Sequence, residues 1–185
     1  VYIKLIKQAH HDFLLSILDF TTTLNSPTNK LLDEIMDFTK YPQYLPQQLK
    51  KIEILEQNNI ETHTKETLTF SNYLKKSFEQ ESIHKKISDT ELNTKIISGP
   101  AKGTLVSIIF KELNSDTQIF VKVDLKLSLA AKFLQPIIKK WYKRMVLVIL
   151  YKINSNIMNE EEVLCNNNSF RLKLKPYSYV YYLVN

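Results

Sequence analysis

Apolar and polar positions alternate along residues 18–24, the first clearly patterned segment of the chain. Every second residue there is apolar or threonine, which predicts a β-strand with one buried face. The residues of that face are Leu18, Phe20, Thr22 and Leu24.

The segment after this strand carries the signals of two short helices. Ser26 is a residue type that caps helices, and Pro27 suits the first helical position. Apolar residues then recur at helical spacing, at Leu31, Leu32, Ile35 and Met36. We expect this helix to end near Asp37, and the aromatic-rich residues 38–46 predict a short second helix.

Between residues 49 and 127 the apolar positions recur with a period closer to two, which is typical of strands. The alternation is clearest at residues 106–110 and 119–127, on either side of an Asn-Ser-Asp turn signal at residues 114–116. Five to six consecutive short strands predict an antiparallel meander.

Residues 130–152 predict a long amphipathic helix. Its apolar face consists of Phe133, Leu134, Ile137, Ile138, Trp141, Met145 and Val148. Lysines lie on the opposite face, and Pro136 is expected either to kink the helix or to mark its start. Because an open sheet face needs cover, the predicted fold is α+β: a curved antiparallel sheet wrapped around this C-terminal helix.

The composition favours a single domain in a reducing compartment. The chain has 185 residues, of which 44% are hydrophobic and 24% charged, as in ordinary globular proteins. Two glycines are too few to favour phosphate-cradling loops. One cysteine, Cys165, allows no internal disulfide, and no zinc-ligand spacing is found, so we expect neither metal nor cofactor. The absence of a secretory signal or an apolar run of about 20 residues predicts a cytoplasmic protein.

Positive charge is concentrated in one part of the chain. The net charge is +6, and residues 125–159 contain seven Lys or Arg but no Asp or Glu. This surplus fits contact with an anionic membrane surface or with ribosomal phosphates. The alternative is a solvated helix face, and the aromatics that would stack on nucleic-acid bases are not evident there.

The segment D-F-T-K-Y-P-Q-Y-L-P at residues 37–46 follows the first predicted helix. With the order of elements over residues 17–154, it resembles the polyketide cyclase/dehydrase and coenzyme-Q-binding branch of the START-like (SRPBCC) superfamily, which has D-x-x-x-Y-x-x-F-L-P here. The matching residues are Asp37, Tyr41, Tyr44, Leu45 and Pro46, with Tyr44 in place of the usual Phe. The loop at residues 99–103 departs from the family pattern, since it is shorter and lacks both aromatics of the Gly-Pro-Phe and Gly-x-Trp motifs.

The resemblance implies a helix-grip fold with a cavity between the sheet and the C-terminal helix. It implies that the two short helices form one wall of the mouth, and that the cavity holds a hydrophobic small molecule such as a lipid, quinone or polyketide. The predicted division is an N-terminal extension at residues 1–16, the helix-grip domain at 17–154 and a C-terminal tail at 155–185. The oligomeric state stays open.

Candidate ligand-binding residues lie on the short helices, the strands and the long helix. They are Phe38, Tyr41, Tyr44, Leu45, Leu68, Phe70, Val106, Ile108, Phe110, Val121, Val123, Phe133, Ile137, Trp141 and Met145. For each of them, packing in an ordinary core is the alternative role.

Three functions remain open on this basis. Binding or transfer of a hydrophobic small molecule is the leading hypothesis. The first alternative is a cyclase- or dehydratase-like enzyme using His84 or Glu66 as acid or base, although nothing nearby in sequence completes a catalytic set. The second is an interaction module that meets membranes or ribosomes through a basic surface, formed by Lys132, Lys139, Lys140 and Lys143.

Residues 145–151 are apolar on every side of the predicted helix, so one face must be covered by something other than the sheet. The segment before residue 18, the tail or a second copy of the chain could supply this cover. The tail itself alternates at Phe170, Leu172 and Leu174.

Overall fold

A computed structural model describes residues 17–69, 77–127 and 133–167, with residues 160–167 described as helical backbone. The elements follow the predicted order of strand, short helices, run of strands and long helix. The helices are α1 (Thr28–Met36), α2 (Tyr41–Tyr44) and α3 (Gln135–Asn167), with a 3-10 turn at Phe38–Lys40 between the first two. The strands are β1 (Ile17–Leu24), β2 (Leu49–Gln57), β3 (Glu61–Thr69), β4 (Ser77–Ser88), β5 (Glu91–Ile96), β6 (Leu105–Leu113) and β7 (Asp116–Asp124).

The described strands form one curved antiparallel sheet in the order β1-β7-β6-β5-β4-β3-β2. From β2 to β7 each strand pairs with the next, as the predicted meander requires. β1 instead pairs with β7, with Phe20 opposite Val121. The first two strands therefore lie at opposite edges, and the segment with α1 and α2 connects one edge to the other while packing against α3.

Alternation along the strands buries the concave face of the sheet. Buried and partly exposed residues alternate throughout β3, and Ile119, Val121 and Val123 of β7 are almost fully buried. The predicted face of β1 is confirmed, since Leu24 is buried and Leu18 and Phe20 pack against the core. Each large apolar side chain on this face stabilises the fold by about 1.5–3 kcal/mol when fully removed from water.

The long helix begins later and ends later than the sequence predicts. Its first residue is Gln135, so Pro136 lies in the first turn, where the missing N–H costs nothing, and marks the start of the helix. The helix continues to Asn167, past residue 154, with Ile153 and Ile157 buried. Residues 155–167, which are predicted as part of the tail, therefore belong to this helix. The division of the chain into one domain and two extensions stays a prediction. Within the described residues, no helix is long and apolar enough to cross a membrane.

The face that α3 turns towards the sheet is shifted from the predicted one. Phe133 precedes the helix and is 69% exposed, and Ile137 is 37% exposed. The residues that pack inward recur at three and four positions: Ile138, Tyr142, Met145, Ile149, Ile153 and Ile157. Placing Phe133 and Ile137 on the inner face was wrong, because helical spacing is shared by two adjacent stripes and only packing selects one.

Ser26 does not cap α1, contrary to the sequence prediction. Pro27 occupies the capping position without a side-chain bond, and the helix starts at Thr28. The Ser26 hydroxyl is fully buried and donates to Asn154 Oδ1 over 2.8 Å. A tertiary bond to α3 thus replaces the local cap, so this serine ties the two helices together.

The apolar stretch at residues 145–151 is covered in part by β1. The Tyr151 hydroxyl lies 3.1 Å from Thr22 Oγ1 on this strand, and Val146 and Val148 pack against the core. The segment before residue 17 and the alternating tail around Phe170 are also candidates to cover this stretch. Both lie outside the described residues.

Candidate ligand-binding cavity

A cavity of about 440 Å³ lies between the concave face of the sheet and α3. This volume falls within the range of small-molecule sites, roughly 300–1,000 Å³. Apolar side chains dominate its walls, which come from the α1–α2 segment, strands β2 to β6, the residues after β7 and one side of α3. An apolar solute of modest size would therefore lose most of its contact with water here.

The predicted ligand-binding residues divide into three groups. Those that line the cavity are Phe38, Tyr41, Leu45, Leu68, Val106, Ile108, Trp141 and Met145. Those that are buried elsewhere in the core are Tyr44, Phe110, Val121 and Val123. Phe133 and Ile137 are on the surface, and Phe70 lies outside the described residues.

The segment that matches the family pattern forms the corner between α1 and α2. Lys40 Nζ lies 2.9 Å from Glu34 Oε1 and 3.3 Å from Asp37 Oδ2, and the hydrogen bond to Glu34 raises the pKa of Lys40 to about 12. Partial burial opposes ionisation of Asp37, but hydrogen bonds from Thr39 and Lys40 outweigh it and lower the pKa of this carboxyl. These ion pairs hold the corner that places Phe38 against the cavity.

Two of the three aromatic rings in this corner line the cavity, and the third packs against α3. Tyr41 lines the cavity and donates its hydroxyl hydrogen to a backbone carbonyl of α1 over 2.7 Å, and burial raises the pKa of Tyr41 well above its ordinary value. Phe38 stacks on His84 with ring centroids 4.0 Å apart. Tyr44 accepts a hydrogen bond from Asn156 Nδ2 over 3.2 Å, which ties α2 to α3. Tyr41 and Phe38 therefore shape the site, while Tyr44 anchors the wall.

One carboxylate belongs to the wall of this apolar cavity. Glu66 of β3 is 6% exposed. Thr64 donates to its Oε1, and Ser82 donates to its Oε2 over 3.0 Å. His84 Nε2 lies 3.6 Å from Oε1. Since a buried carboxylate is tolerated only with hydrogen-bond partners, these side chains account for its presence.

The hydrogen-bond network fixes the tautomer of His84. Its Nε2 lies 2.9 Å from Thr64 Oγ1, and its Nδ1 lies 2.9 Å from Thr94 Oγ1. Because the single hydroxyl hydrogen of Thr64 goes to Glu66, Nε2 must donate to Thr64. In the neutral ring Nδ1 then accepts from Thr94. Both nitrogens are thus occupied, and the ring is held in one orientation.

Tyr142 reaches the same cavity from α3. Its hydroxyl has no hydrogen-bond partner among the described residues. Burial raises the pKa of Tyr142, and the negative charge of nearby Glu66 raises it further, so the phenol keeps its proton at neutral pH. The cavity therefore combines a buried acceptor on the sheet with a phenolic donor on the helix.

Sequence reasoning named Glu66 and His84 as a possible acid or base, but it missed the partners of Glu66 and the Tyr142 phenol. Alternation in β3 places Glu66 on the face of Leu68, but it cannot show what lies beside them. The register does so by setting Ser82 opposite Thr64. In the described part of the chain, no group of three or more His, Cys, Asp or Glu side chains is arranged to hold a metal ion.

The predicted basic surface is described in part. Lys140 and Lys143 are exposed on α3, Lys139 is half-buried, and Lys132 lies outside the described residues. Lys143 Nζ lies 5.2 Å from the ring centroid of Phe20, a cation–π geometry that ties it to β1. A role for this surface in binding anionic partners stays a prediction.

Comparison with known proteins identifies the fold. No protein-family model matches the sequence, and no curated protein matches it significantly. Among solved structures, the Zhui aromatase/cyclase from Streptomyces sp. R1128 superposes with a TM-score of 0.66 at 12% identity, covering 80% of this chain and 96% of that one. The chain has the START-like helix-grip fold.

Other solved structures agree. A START superfamily protein from Mycobacterium smegmatis gives a TM-score of 0.62 at 15% identity and covers 77% of this chain and 97% of its own. Major latex-like protein 151 from Panax ginseng gives 0.54 at 11% identity, covering 76% and 95%. The resemblance seen at residues 37–46 and the predicted helix-grip architecture are confirmed at the level of fold.

Proposed function

We propose that this START-like protein binds or transfers a hydrophobic small molecule of the lipid, quinone or polyketide type in the cavity between the sheet and α3. The observation that supports the proposal is the cavity itself, about 440 Å³ in volume with predominantly apolar walls. Burial of apolar surface is the main driving force for such binding. Trp141, the single tryptophan of the chain, lines the cavity and provides an intrinsic probe of its occupancy.

Native mass spectrometry of the purified protein tests the proposal. We expect a defined mass adduct that is lost on denaturation, and organic extraction of the same sample would identify its chemical class. A bare protein mass, together with no change of Trp141 emission on titration with quinones or lipids, would overturn the proposal.

A cyclase- or dehydratase-like enzyme is the second candidate. It is favoured by the pairing of Glu66 with His84 in the cavity wall, 3.6 Å apart, and by the likeness to an aromatase/cyclase. The Glu66 carboxylate can accept a proton from a bound polyketone, while His84 positions it through Thr64. Incubation with a linear poly-β-ketone should then give an aromatic chromophore, and Glu66→Gln or His84→Ala should abolish it. No chromophore from the unmodified protein would exclude this activity on that substrate.

The basic surface supports a further hypothesis of membrane or ribosome contact, based on the exposure of Lys140 and Lys143. Co-sedimentation with anionic vesicles or with ribosomes should weaken as salt is raised, and charge reversal at both lysines should abolish it. Equal sedimentation of wild-type and reversed protein would exclude this role. The cytoplasmic location remains a prediction, supported by the lone cysteine Cys165.

A further inference from the structure

The cavity lining includes the polar side chains Gln80, Lys85, Asn93 and Thr94, and two further polar groups face it from different layers of the fold. Glu66 belongs to β3, and Tyr142 belongs to the part of α3 that covers the sheet. Both side chains line the same cavity, and the negative charge of Glu66 raises the pKa of the Tyr142 phenol. A ligand that fills the cavity can therefore contact both of them.

Glu66 retains capacity to accept another hydrogen bond. An ionised carboxylate offers about four lone-pair sites. Thr64 and His84 approach Oε1, while Ser82 is the described donor to Oε2. One position on Oε2 is therefore open to a donor on the ligand.

Tyr142 offers the complementary group. Its phenol stays protonated at neutral pH, and its hydroxyl meets no acceptor among the described side chains and carbonyls. A phenol hydroxyl inside a protein usually finds a partner, because leaving it unpaired costs free energy. An oxygen atom on a ligand would supply that partner.

His84 does not compete for the ligand. Thr64 and Thr94 occupy its two ring nitrogens, and Phe38 covers its face. It is a positioning residue, which holds the threonine that donates to Glu66.

We propose that the cavity selects a neutral amphiphile with a hydroxyl group at one end, an alcohol or a phenol, over ligands that end in a carboxylate or a hydrocarbon. The ligand hydroxyl donates to Glu66 Oε2 and accepts from the Tyr142 phenol, while its apolar body fills the rest of the cavity. A carboxylate end group is rejected because it would bring a second negative charge next to the buried carboxylate of Glu66 and has no hydrogen to donate to Oε2. This inference rests on the proposed binding function.

Calorimetric titration of the full chain with three matched probes at pH 7 tests the selection: 2-naphthol, 2-methylnaphthalene and 2-naphthoate. They share one ring system and differ in the end group. We expect 2-naphthol to bind about tenfold or more tightly than 2-methylnaphthalene, the ratio that one added hydrogen bond to a charged group supplies. We expect 2-naphthoate to bind most weakly.

Variants assign the preference to the two residues. Glu66→Gln and Tyr142→Phe should each remove most of the advantage of 2-naphthol while retaining 2-methylnaphthalene binding, which also shows that the variants are folded. Glu66→Gln should in addition improve binding of 2-naphthoate. Tyr151→Phe is the matched control, because its hydroxyl is on the same helix but bonds to Thr22 of β1.

The outcomes separate this inference from the proposed function. If 2-methylnaphthalene and 2-naphthol bind the unmodified protein equally, or if Tyr142→Phe keeps the preference, the hydroxyl selection is wrong and the binding function stands. If 2-naphthoate binds best, the selection is also wrong. If none of the three probes binds, both the selection and the proposed function are contradicted for ligands of this size.

Discussion

At the level of single residues, two threonines on β3 show how polar groups are accommodated on a buried sheet face. Thr62 and Thr64 are both fully buried, two positions apart on one strand. Thr64 bonds to Glu66 and to His84, whereas Thr62 Oγ1 has no partner within the described residues. Because an unpaired buried hydroxyl costs about 1–3 kcal/mol, the two side chains should contribute to stability with opposite signs.

We predict that Thr64→Val lowers the free energy of unfolding by about 1–3 kcal/mol, because Glu66 loses a donor and His84 an acceptor. Thr62→Val is the matched control and should be neutral or stabilising, since it removes a hydroxyl without a partner. Urea unfolding followed by circular dichroism measures both. Equal losses in the two variants would show that the bond from Thr64 to Glu66 does not stabilise the fold.

The corner ion pairs predict a pH dependence at Asp37. Its folded pKa lies below the ordinary value of 3.8, so its stabilisation is fully present above that value and is lost as pH falls through the folded pKa. Because the side chain is about one-third exposed, solvent screening limits the contribution to roughly 0.5 kcal/mol. Asp37→Asn should therefore lower stability slightly at pH 7, and the difference from wild type should vanish in strong acid.

Thermal unfolding from about pH 7 to about pH 2 measures this difference, over the range in which a paired carboxylate titrates. Asp33→Asn, an exposed substitution on α1, gives the background effect of removing one negative charge. A deficit of Asp37→Asn that persists unchanged at the lowest pH would contradict the ionic origin of the effect.

At the level of elements, α3 serves both as core and as cavity wall. Its later turns, with Ile153 and Ile157, are buried in the core outside the cavity. Its first turns face the cavity instead, with Trp141 and Met145 in the lining. One amphipathic stripe therefore has two roles along its length, as cavity wall in its first turns and as packed core in its later ones.

Neighbouring positions in the first turns of α3 allow a direct test of the cavity wall. Ile138 lines the cavity, whereas Ile137 is partly exposed and does not. Ile138→Trp should fill the cavity and weaken binding of 2-methylnaphthalene at least tenfold, about 1.4 kcal/mol. Ile137→Trp, with the same added volume on the outer side, should leave binding unchanged. Calorimetric titration with 2-methylnaphthalene measures both affinities. Similar affinities for the two variants would show that the ligand binds outside this cavity.

At the level of the whole molecule, the cavity occupies a position that a packed domain would fill with side chains. Protein interiors normally contain few voids larger than a water molecule. A space of about 440 Å³ beneath the main helix leaves apolar surface uncovered until a ligand fills it. If the proposed ligand binding holds, occupancy of the cavity and fold stability should be linked.

Removal of a bound ligand should lower the melting temperature, and saturation should raise it. An apolar ligand at 100 times its dissociation constant stabilises the native state by about 2.7 kcal/mol, provided that it does not bind the unfolded chain. Differential scanning calorimetry before and after passage over a hydrophobic resin measures the effect. The Ile138→Trp variant is the control and should melt at the same temperature before and after this treatment. An identical change in melting temperature for wild type and variant would show that the stabilising ligand does not bind in the cavity.

Much of the fold follows from local pattern. The period of two along β1 and the later strands, and the period near 3.6 from residue 135 onward, depend on neighbours in sequence. The D-x-x-x-Y-x-x-Y-L-P segment also marks the corner correctly, because Asp37, Lys40 and Tyr41 act through residues close to them in the chain. The predicted role of Ser26 failed for the opposite reason, since its partner Asn154 lies on a helix far away in sequence.

The sequence by itself therefore determined the order and type of the elements, the buried faces of the strands and the α+β class, since these depend on side-chain periodicity. Only the tertiary structure decided that β1 pairs with β7, that α3 turns Ile138 rather than Ile137 inward, and that Glu66, His84 and Tyr142 share one cavity. Strand register and helix rotation are set by contacts between residues distant in sequence, and alternation is compatible with more than one such arrangement. The polar site exists because that packing brings three separate elements together.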